Sequence, residues 1–484
     1  MDSTDFYDNP LVSRYASPEM SSLWGPRRKF TTWRRIWVAL AEAQAEIGLM
    51  AEDGVTPRIT AAQIEEMRAG VNQLDLAAAD RYEREVRHDV MAHNHAYGDV
   101  APSARGIIHL GATSCDITDN ADLILLREGL GLIRDRLVGL IDALGRFALN
   151  WRDQPTMGFT HFQPAQLTTV GKRACLWTQD LILDLSEIEH RLEKLAFRGI
   201  KGATGTQASF LALFNGDHAK VKRLEELVAQ KMGFTTCYSV TGQTYSRKVD
   251  SQILDALSGI GQSLHKLGAD VRLLAHRQEI DEPTEKGQIG SSAMPYKRNP
   301  MRSERMCGLA RFLTSLTISA AHTAASQWLE RTLDDSVNRR LTLPQAFLAA
   351  DAALRLGLNV VNGLEVFPAI IHSNMASVLP YMATENLLMA AVAAGEDRQQ
   401  AHEAIRRHSR AVSAEVRAGG QQNNLLDRLR SDPHFAKVDF GAALLPENFI
   451  GRAPHQVDEF LKAEIEPVRK RYPHLLGQGA DIAR

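Results

Sequence analysis

Apolar residues recur at alternating spacings of four and three along several long stretches of the chain. One such seam runs from Asp119 to Asn150, and the same spacing returns in 181–195 and in 253–274. Because this spacing keeps apolar side chains on one face of an α-helix, each stretch is predicted to be a long helix. The first would be roughly 45–50 Å long at ~1.5 Å per residue. Its seam consists of Leu126, Leu130, Ile133, Leu137, Leu140, Leu144 and Phe147.

Two more long helices are predicted, at about 301–329 and 338–360. Together, the five long helices with matching seams indicate an all-α protein with a helix bundle at its centre. A single bundle of this length cannot cover all of its apolar faces, and Leu123, Ile124 and Leu132 lie outside the main seam. We therefore expect an oligomer in which helices of different subunits pack against each other.

Shorter amphipathic helices flank the bundle on both sides. The pattern predicts three helical domains, at 1–113, 114–365 and 366–484, with the long-helix bundle and an irregular loop in the middle one. Proline at the break after Val366 stops the preceding helical pattern and marks the second boundary. Sequence that favours strands is scarce, and Phe234–Thr241 is the one run of note.

Composition narrows the class of function. Lys and Arg number 56 against 58 Asp and Glu, for a net charge of −2, which argues against a general nucleic-acid binder. No apolar run approaches the ~18–20 residues of a membrane helix, and the polar, acidic start of the sequence does not resemble a secretory signal. The glycine fingerprint of a dinucleotide site is absent. The four cysteines are too far apart for a zinc site, so we expect no metal, free thiols and a reducing, cytoplasmic setting.

One irregular loop, 287–300, interrupts the long helices. Its glycines permit backbone angles that other residues resist, and its prolines stop the helix from continuing. A plain connector would need such breakers, but it would need neither the pair Ser291-Ser292 nor Lys297 and Asn299. Hydroxyls, an ammonium group and backbone N–H groups together suit a loop that holds an anion and carries a base.

Four other polar stretches lie at predicted helix ends, at 87–89, 111–114, 160–164 and 331–340. Taken singly, each has a simple structural explanation as a helix cap, a satisfied histidine or surface charge. In an antiparallel bundle, however, helix ends on one side meet, so polar ends can converge into one site. A histidine near neutral pKa beside arginines that clamp carboxylate or phosphate suits proton transfer next to a polyanion.

The segment Gly290–Pro300, with the sequence GSSAMPYKRNP, resembles the signature GSSxMPxKxNP of the fumarase/aspartase superfamily at every fixed position. Within that superfamily the chain is similar to the adenylosuccinate lyase family of the animal type along nearly its whole length. The part beyond Asn386 matches more loosely. The supporting stretches are 13–20, 87–93, 108–114, 160–166, 241–247 and 330–336.

This resemblance implies a β-elimination that releases fumarate from adenylosuccinate, giving AMP, and from the succinylated aminoimidazole carboxamide ribotide. It also implies a homotetramer whose sites are each built from three subunits, without a metal or an organic cofactor. Ser291 would act as the base, and His161 would protonate the departing nitrogen. The implied substrate-binding residues are Arg14, Tyr15, Arg87, His88, Asp89, Thr113, Ser114, Gln243, Lys297, Asn299, Arg305, Arg331, Ser336 and Arg340.

Two alternatives stay open on the residues alone. A related fumarate-releasing enzyme, such as argininosuccinate lyase, would share the signature loop. It would have no use for a phosphate and base pocket, for which Arg14, Tyr15 and the arginines of 331–340 are the candidates. A structural protein on the same scaffold, as in lens crystallins, would have no need to keep Ser291 and His161.

Overall fold

The computed structural model describes residues 7–285, 287–289, 293–376, 378–419 and 423–479. Within these ranges α-helices dominate, which confirms the all-α class, and no helix is long and apolar enough to cross a membrane. The helices are α1 (Pro18–Leu23), α2 (Pro26–Glu46), α3 (Ala61–Gly70), α4 (Leu76–Val86), α5 (Asp89–Val100), α6 (Ser114–Asn150), α7 (Val170–Lys194), α8 (Ala208–Leu213), α9 (His218–Lys231), α10 (Lys248–His276), α11 (Met301–Ala325), α12 (Asp334–Asn362), α13 (Pro368–Ala376), α14 (Leu379–Ala393), α15 (Arg398–Arg417), α16 (Leu425–Arg430), α17 (Phe440–Ala443), α18 (Ala453–Phe460) and α19 (Glu466–Arg471). The strands are β1 (Pro155–Thr160), β2 (Gln163–Thr169), β3 (Ile280–Asp281) and β4 (Glu365–Val366).

The five predicted long helices are α6, α7, α10, α11 and α12, which are 25 to 37 residues long. The longest, α6, starts five residues before the predicted seam does, at Ser114. Its first turn is polar, and the backbone N–H of Thr113 donates to the Asp116 carboxylate at 2.8 Å, which satisfies the helix start. At 37 residues α6 is about 55 Å long.

The bundle has two distinct ends. At one end the starts of α6, α10 and α12 lie together, because Arg247 donates both to Asp119 of α6 and to Asp335 of α12. We call it the cavity end, after the cavity that opens there. At the other end, called the hairpin end after the β1–β2 hairpin, β3 pairs antiparallel with β4 just beyond the ends of α10 and α12. The guanidinium of Arg277, directly after α10, lies 4.9 Å from the ring of Phe159 in β1. The β1–β2 hairpin therefore belongs to this second end.

The hairpin is formed by β1 and β2 and was not predicted from the sequence. Its pairing runs from Pro155 opposite Thr169 to Thr160 opposite Gln163. The turn residues His161 and Phe162 have φ values of 53° and 57°, as a tight two-residue hairpin turn requires. Both side chains are exposed at the tip.

The expected strand location was wrong. Phe234–Thr241 contributes only an isolated bridge between Phe197 and Cys237. The hairpin strands have the sequences PTMGFT and QPAQLTT. Their proline, glycine and glutamine residues have low strand propensity, so propensity alone does not predict these strands. Pairing with each other, at the end of a long helix, determines their conformation.

One apolar core fills the bundle and extends from Trp37 of α2 to Val457 and Ile465 near the C-terminus. A second cluster, built around residues such as Leu387 and Phe435, lies in α14 to α17. Part of the predicted third domain thus shares the core of the bundle, because α18 packs against α7. The division of the chain at 113 and 365 stays a prediction.

The expectation about which apolar positions face other subunits was partly wrong. Leu123 is 0% and Ile124 2% exposed, because α2, α7 and α12 of the same chain cover α6. Exposed apolar side chains lie instead on α7, α10, α11 and α12, where a partner surface would be needed to cover them. They are Leu176, Leu183, Leu273, Phe312, Ile318, Val337 and Leu341.

Candidate active site

A cavity of about 590 Å³ opens at the cavity end of the bundle. This volume lies in the range of small-molecule sites. The starts of α2, α5, α6 and α12, with the segment before α10, form its walls. Seven of the predicted site residues line it, namely His88, Asp89, Ser114, Gln243, Arg331, Ser336 and Arg340.

Two helix starts meet at one wall of this cavity. His88 caps α5, where its Nδ1 accepts from the backbone N–H of Met91 at 3.4 Å. Its Nε2 lies 3.2 Å from Oγ of Ser114, the first residue of α6. Asp89 accepts a hydrogen bond from Arg340 at 2.8 Å. Backbone N–H groups at two helix starts, next to a cationic side chain, suit the binding of an anion.

Two further predicted residues border this wall without lining the cavity. Arg87 ends α4 with a φ of 54°, which turns the chain into α5, and its side chain is exposed. Thr113 directly precedes α6 and is held there through its backbone contact with Asp116. Arg87 and Thr113 therefore set the direction in which the chain enters α5 and α6, the two helices whose starts face the cavity.

The opposite wall consists of the segments before α10 and α12. A Cβ at Gly242 would lie 2.6 Å from the carbonyl oxygen of Glu330, so only glycine allows these segments to approach this closely. Gln243 donates its backbone N–H to that same oxygen at 3.0 Å. Arg331 Nη1 lies 3.1 Å from Sγ of Cys115, and burial raises the pKa of this thiol to about 12. The contact with this neutral thiol does not offset the Arg331 charge, and its Nη2 lies 3.8 Å from the Asp335 carboxylate, the long ion pair of this wall.

A buried charge network lies beneath the cavity. Arg247 donates to Asp119 at 3.0 and 3.1 Å and to Asp335 at 2.7 Å. Arg339 donates to Asp250 at 2.7 Å. Although burial opposes ionisation of Asp119, the two arginines lower the pKa of its carboxyl group. The network links α6, α10 and α12 and so holds the helix starts that form the cavity in a fixed arrangement.

His161, the predicted proton donor, lies away from this cavity, at the tip of the hairpin. The hairpin begins shortly after the last residue of α6, whereas Ser114 is the first residue of that helix, about 55 Å away. Gly171, after β2, donates its backbone N–H to the carbonyl oxygen of Trp151 at 2.9 Å, so the base of the hairpin stays at the end of α6. Six residues of β1 span ~20 Å, so even a hairpin folded straight back leaves His161 at least about 35 Å from Ser114. Within one chain these two residues cannot contact the same small substrate.

The described end of the signature segment, 293–300, also lies at the hairpin end, where Arg298 contacts Glu365 of β4 at 3.2 Å. Ser291, the predicted base, falls outside the described residues. Lys297 is exposed and Asn299 half-buried, directly before α11. The first turn of α11 is held next to β3, because Ser303 donates its backbone N–H to the Glu282 carboxylate at 2.9 Å.

A third group of predicted residues lies along the side of the bundle. Tyr15 and Arg305 line a second cavity, of about 480 Å³, together with Gln345 of α12. Arg14 is exposed beside Tyr15 in the short helical turn Leu11–Tyr15. The predicted site residues thus fall into three separate groups within one chain.

Comparison with known proteins supplies the family. The chain matches the family described as "Lyase" over residues 15–312 and the one described as "Adenylosuccinate lyase C-terminus" over residues 380–460. It is 50% identical over 465 residues to the adenylosuccinate lyase of Saccharomyces cerevisiae, with 95% of each chain covered. It is 46% identical over 486 residues to that of Schistosoma mansoni, with 100% of each covered. The chain belongs to the adenylosuccinate lyase family. The predicted membership and the predicted class of enzyme, a lyase, are confirmed.

Solved structures support the fold assigned to this adenylosuccinate lyase family member. The 3-carboxy-cis,cis-muconate lactonizing enzyme from Pseudomonas putida superimposes with a TM-score of 0.81 at 23% identity, over 95% of this chain and 100% of that one. The fumarate lyase from Mesorhizobium sp. BNC1 gives 0.78 at 24% identity, over 95% and 100%. At such identities the likeness concerns the fold alone.

Several cavity residues of this family member were not singled out from the sequence. Lys29 and Trp33 of α2 line the cavity, as do Trp24 before it and Asp122 of α6. The pattern around Trp33 predicts only a periodic helix. The sequence signal that could have indicated a binding role is a lysine, Lys29, close to the aromatic residues Phe30 and Trp33. Among the described residues, no group of three or more His, Cys, Asp or Glu side chains could hold a metal ion.

Proposed function

We propose that the protein cleaves adenylosuccinate into AMP and fumarate by β-elimination. We propose that it acts in the same way on the succinylated aminoimidazole carboxamide ribotide, so that it serves AMP and IMP biosynthesis. Relatives named adenylosuccinate lyase match it over 95% or more of both chains. The observation that carries the proposal is the cavity of about 590 Å³, where two helix starts, His88 and four arginines face a space large enough for a nucleotide.

In the proposed reaction Ser291 removes the proton from the carbon next to a succinyl carboxylate. The electron pair of that bond passes into the carboxylate, which then carries two negative charges. The carbon–nitrogen bond breaks next, and His161 gives a proton to the departing nitrogen. A serine is a weak base, so neighbouring donors must stabilise its alkoxide, and Lys297 is the candidate.

The remaining residues would bind the two ends of the substrate. Thr113 and Ser114, with Asn299, would hold the succinyl carboxylates, because the start of α6 offers backbone N–H groups. Arg331 and Arg340 would bind the nucleotide end, since guanidinium groups pair well with phosphate. The other proposed members of the binding site are Arg14, Tyr15, Arg87, His88, Asp89, Gln243, Arg305 and Ser336.

We also propose that three subunits of a homotetramer build each site. The separation of at least about 35 Å between His161 and Ser114 supports this, because no conformation of the hairpin brings the two together within one chain. The exposed apolar side chains on α7, α10, α11 and α12 support it as well. A parallel arrangement of subunits would not bring the two bundle ends together, so we propose that neighbouring bundles pack antiparallel.

A reducing, cytoplasmic location completes the proposal. All four cysteines are free, and Cys115, Cys175 and Cys307 are buried. Burial raises the pKa of the Cys115 thiol to about 12 and that of Cys175 to about 11. Neutral thiols of this kind suit a compartment that keeps cysteines reduced.

The purified protein should be mixed with adenylosuccinate while the ultraviolet absorbance of the purine is followed. We expect conversion to AMP together with release of one fumarate per turnover. Argininosuccinate, malate and aspartate, tested in parallel, should remain unchanged. No change of adenylosuccinate, with turnover of one of the other compounds, would contradict the proposed substrate.

A further inference from the structure

One cation of the cavity has no assigned role. Lys29 lies in the first turn of α2 and lines the cavity together with Arg331 and Arg340. Its ammonium lies 5.2 Å from the centroid of the Trp33 ring and 5.3 Å from that of Phe30. Aromatic rings attract a cation at this distance. They hold the ammonium in place without using its N–H groups, which stay available to a ligand.

Other cations around the cavity are paired with carboxylates. Arg340 donates to Asp89 at 2.8 Å, and Arg339 lies 2.9 Å from Asp122. In the described part of the chain, by contrast, no carboxylate forms an ion pair with Lys29. Lys29 is therefore a cavity cation with unused capacity for an anionic ligand.

The position of Lys29 in its helix is unfavourable for a cation. Arg27, Arg28 and Lys29 follow one another at the start of α2, and the first turn contains no acidic residue. A helix start carries partial positive charge, which disfavours further cations. Arg28 is compensated by Glu128, to which it donates at 2.5 and 2.6 Å. For Lys29 burial lowers the pKa of the ammonium, although the charges of Asp122 and Asp89 act in the opposite direction, and a bound anion would add to the effect of these carboxylates.

We propose that Lys29 is a substrate-binding residue that contacts the phosphate of the nucleotide, beside Arg331 and Arg340. This inference rests on the proposed function. A phosphate monoester offers three oxygen acceptors and close to two negative charges, and Arg340 already shares its charge with Asp89. The succinyl carboxylates are assigned to Ser114 and Asn299, so the phosphate is the anionic group that remains for Lys29.

The test compares two competitive inhibitors of adenylosuccinate turnover that differ only in the phosphate, AMP and adenosine. Their inhibition constants are measured for the wild type, for Lys29→Met and for Lys29→Arg. Lys220→Met is the matched control, because Lys220 is also a half-buried lysine in the first turn of a helix, α9, and lies outside the cavity. Circular dichroism and the oligomeric state are checked for every variant.

Lys29→Met should weaken AMP about tenfold or more, as expected for the loss of one charge-assisted contact. Adenosine inhibition should change by less than about threefold, because it lacks the group that Lys29 contacts. Lys29→Arg should recover most of the AMP affinity, and Lys220→Met should leave both constants unchanged. If Lys29→Met does not fold, Lys29→Gln, which keeps most of the apolar stem, replaces it in the same comparison.

An equal loss for AMP and adenosine would assign Lys29 a purely structural role and overturn the proposal, as would unchanged constants. The proposed function is judged separately, by turnover of adenylosuccinate in the wild type. If that turnover is absent, calorimetric titration of wild type and Lys29→Met with AMP and adenosine still decides whether Lys29 binds a nucleotide phosphate.

Discussion

Two inactive variants should restore activity when their subunits are mixed. His161→Gln removes the proposed proton donor at the hairpin end, and Arg340→Gln removes a proposed phosphate ligand at the cavity end. His161 lies at least about 35 Å from Ser114 at the cavity wall, so one chain cannot supply both ends to one substrate. If sites are shared, each site of a mixed tetramer takes His161 from one copy and Arg340 from another.

The expected recovery follows from this arrangement. In an equal mixture each of the two positions has an even chance of being intact, so about one quarter of the sites should carry both native residues. Activity should therefore rise to about 25% of wild type, from parents that are each at least ~100-fold impaired. An equal mixture of wild type and His161→Gln should retain about half of the wild-type activity, because only one position varies.

Subunit exchange is followed by native mass spectrometry of chains that carry tags of different mass, and turnover is measured on the same samples. Arg331→Gln mixed with Arg340→Gln is the control. Both residues line the same cavity of one chain, so neither partner can supply an intact cavity and no recovery is expected. Activity that stays at the sum of the two parents, although mixed tetramers have formed, would refute the shared site.

Three further predictions concern catalysis and stability. Ser291→Ala should raise the activation free energy of turnover by roughly 4–6 kcal/mol, and so lower kcat, in an assembled tetramer. Steady-state activity within tenfold of wild type would show that Ser291 is not the base. Arg198→Leu leaves Asp116, 0% exposed, without its ion pair, so urea unfolding should show a loss of about 3–5 kcal/mol; a loss below ~1 kcal/mol would contradict this. Burial raises the pKa of Asp184 to about 7 from 3.8. The unfolded chain therefore loses this proton first, and the free energy of unfolding falls as pH rises from about 4 to 7. Asp184→Asn removes that dependence, so its gain in Tm should be larger at pH 8 than at pH 5, and equal gains would refute the assignment.

The long helices were predictable because their information is local and repeated. The seam of α6 fixes its face and length within a few residues, and the signature segment 290–300 identifies the superfamily without any structure. The hairpin was not predictable, since PTMGFT and QPAQLTT mix strand-favouring threonine and phenylalanine with proline, glycine and glutamine and do not alternate clearly. Only mutual pairing at the end of α6 makes them strands, and a single sequence does not display that pairing.

Part of the lining of the candidate cavity was predictable, whereas the arrangement of the three residue groups was not. Seven predicted residues line one cavity, because they lie within two turns of helix starts or in the segments just before them, and those starts meet. The role proposed for Lys29 could not be predicted from the sequence. It depends on the contacts of its ammonium with the rings of Phe30 and Trp33, and on the absence of an ion pair with Lys29 in the described part of the chain. Both are properties of the folded protein. The distance between His161 and the cavity likewise depends on the direction of one helix.

That helix, α6, has a consequence for how the gene can change. It joins the cavity wall at Ser114 to the hairpin that carries His161, so its length sets the spacing between the two bundle ends. Deleting one residue in its middle would shift the hairpin by ~1.5 Å and rotate it by about 100° relative to the cavity. Substitutions on its surface leave this register untouched, whereas under the proposed sharing of sites an insertion or deletion would misalign the contributions of one chain to two sites. We therefore expect related proteins to differ by substitutions within this segment and to keep its length constant.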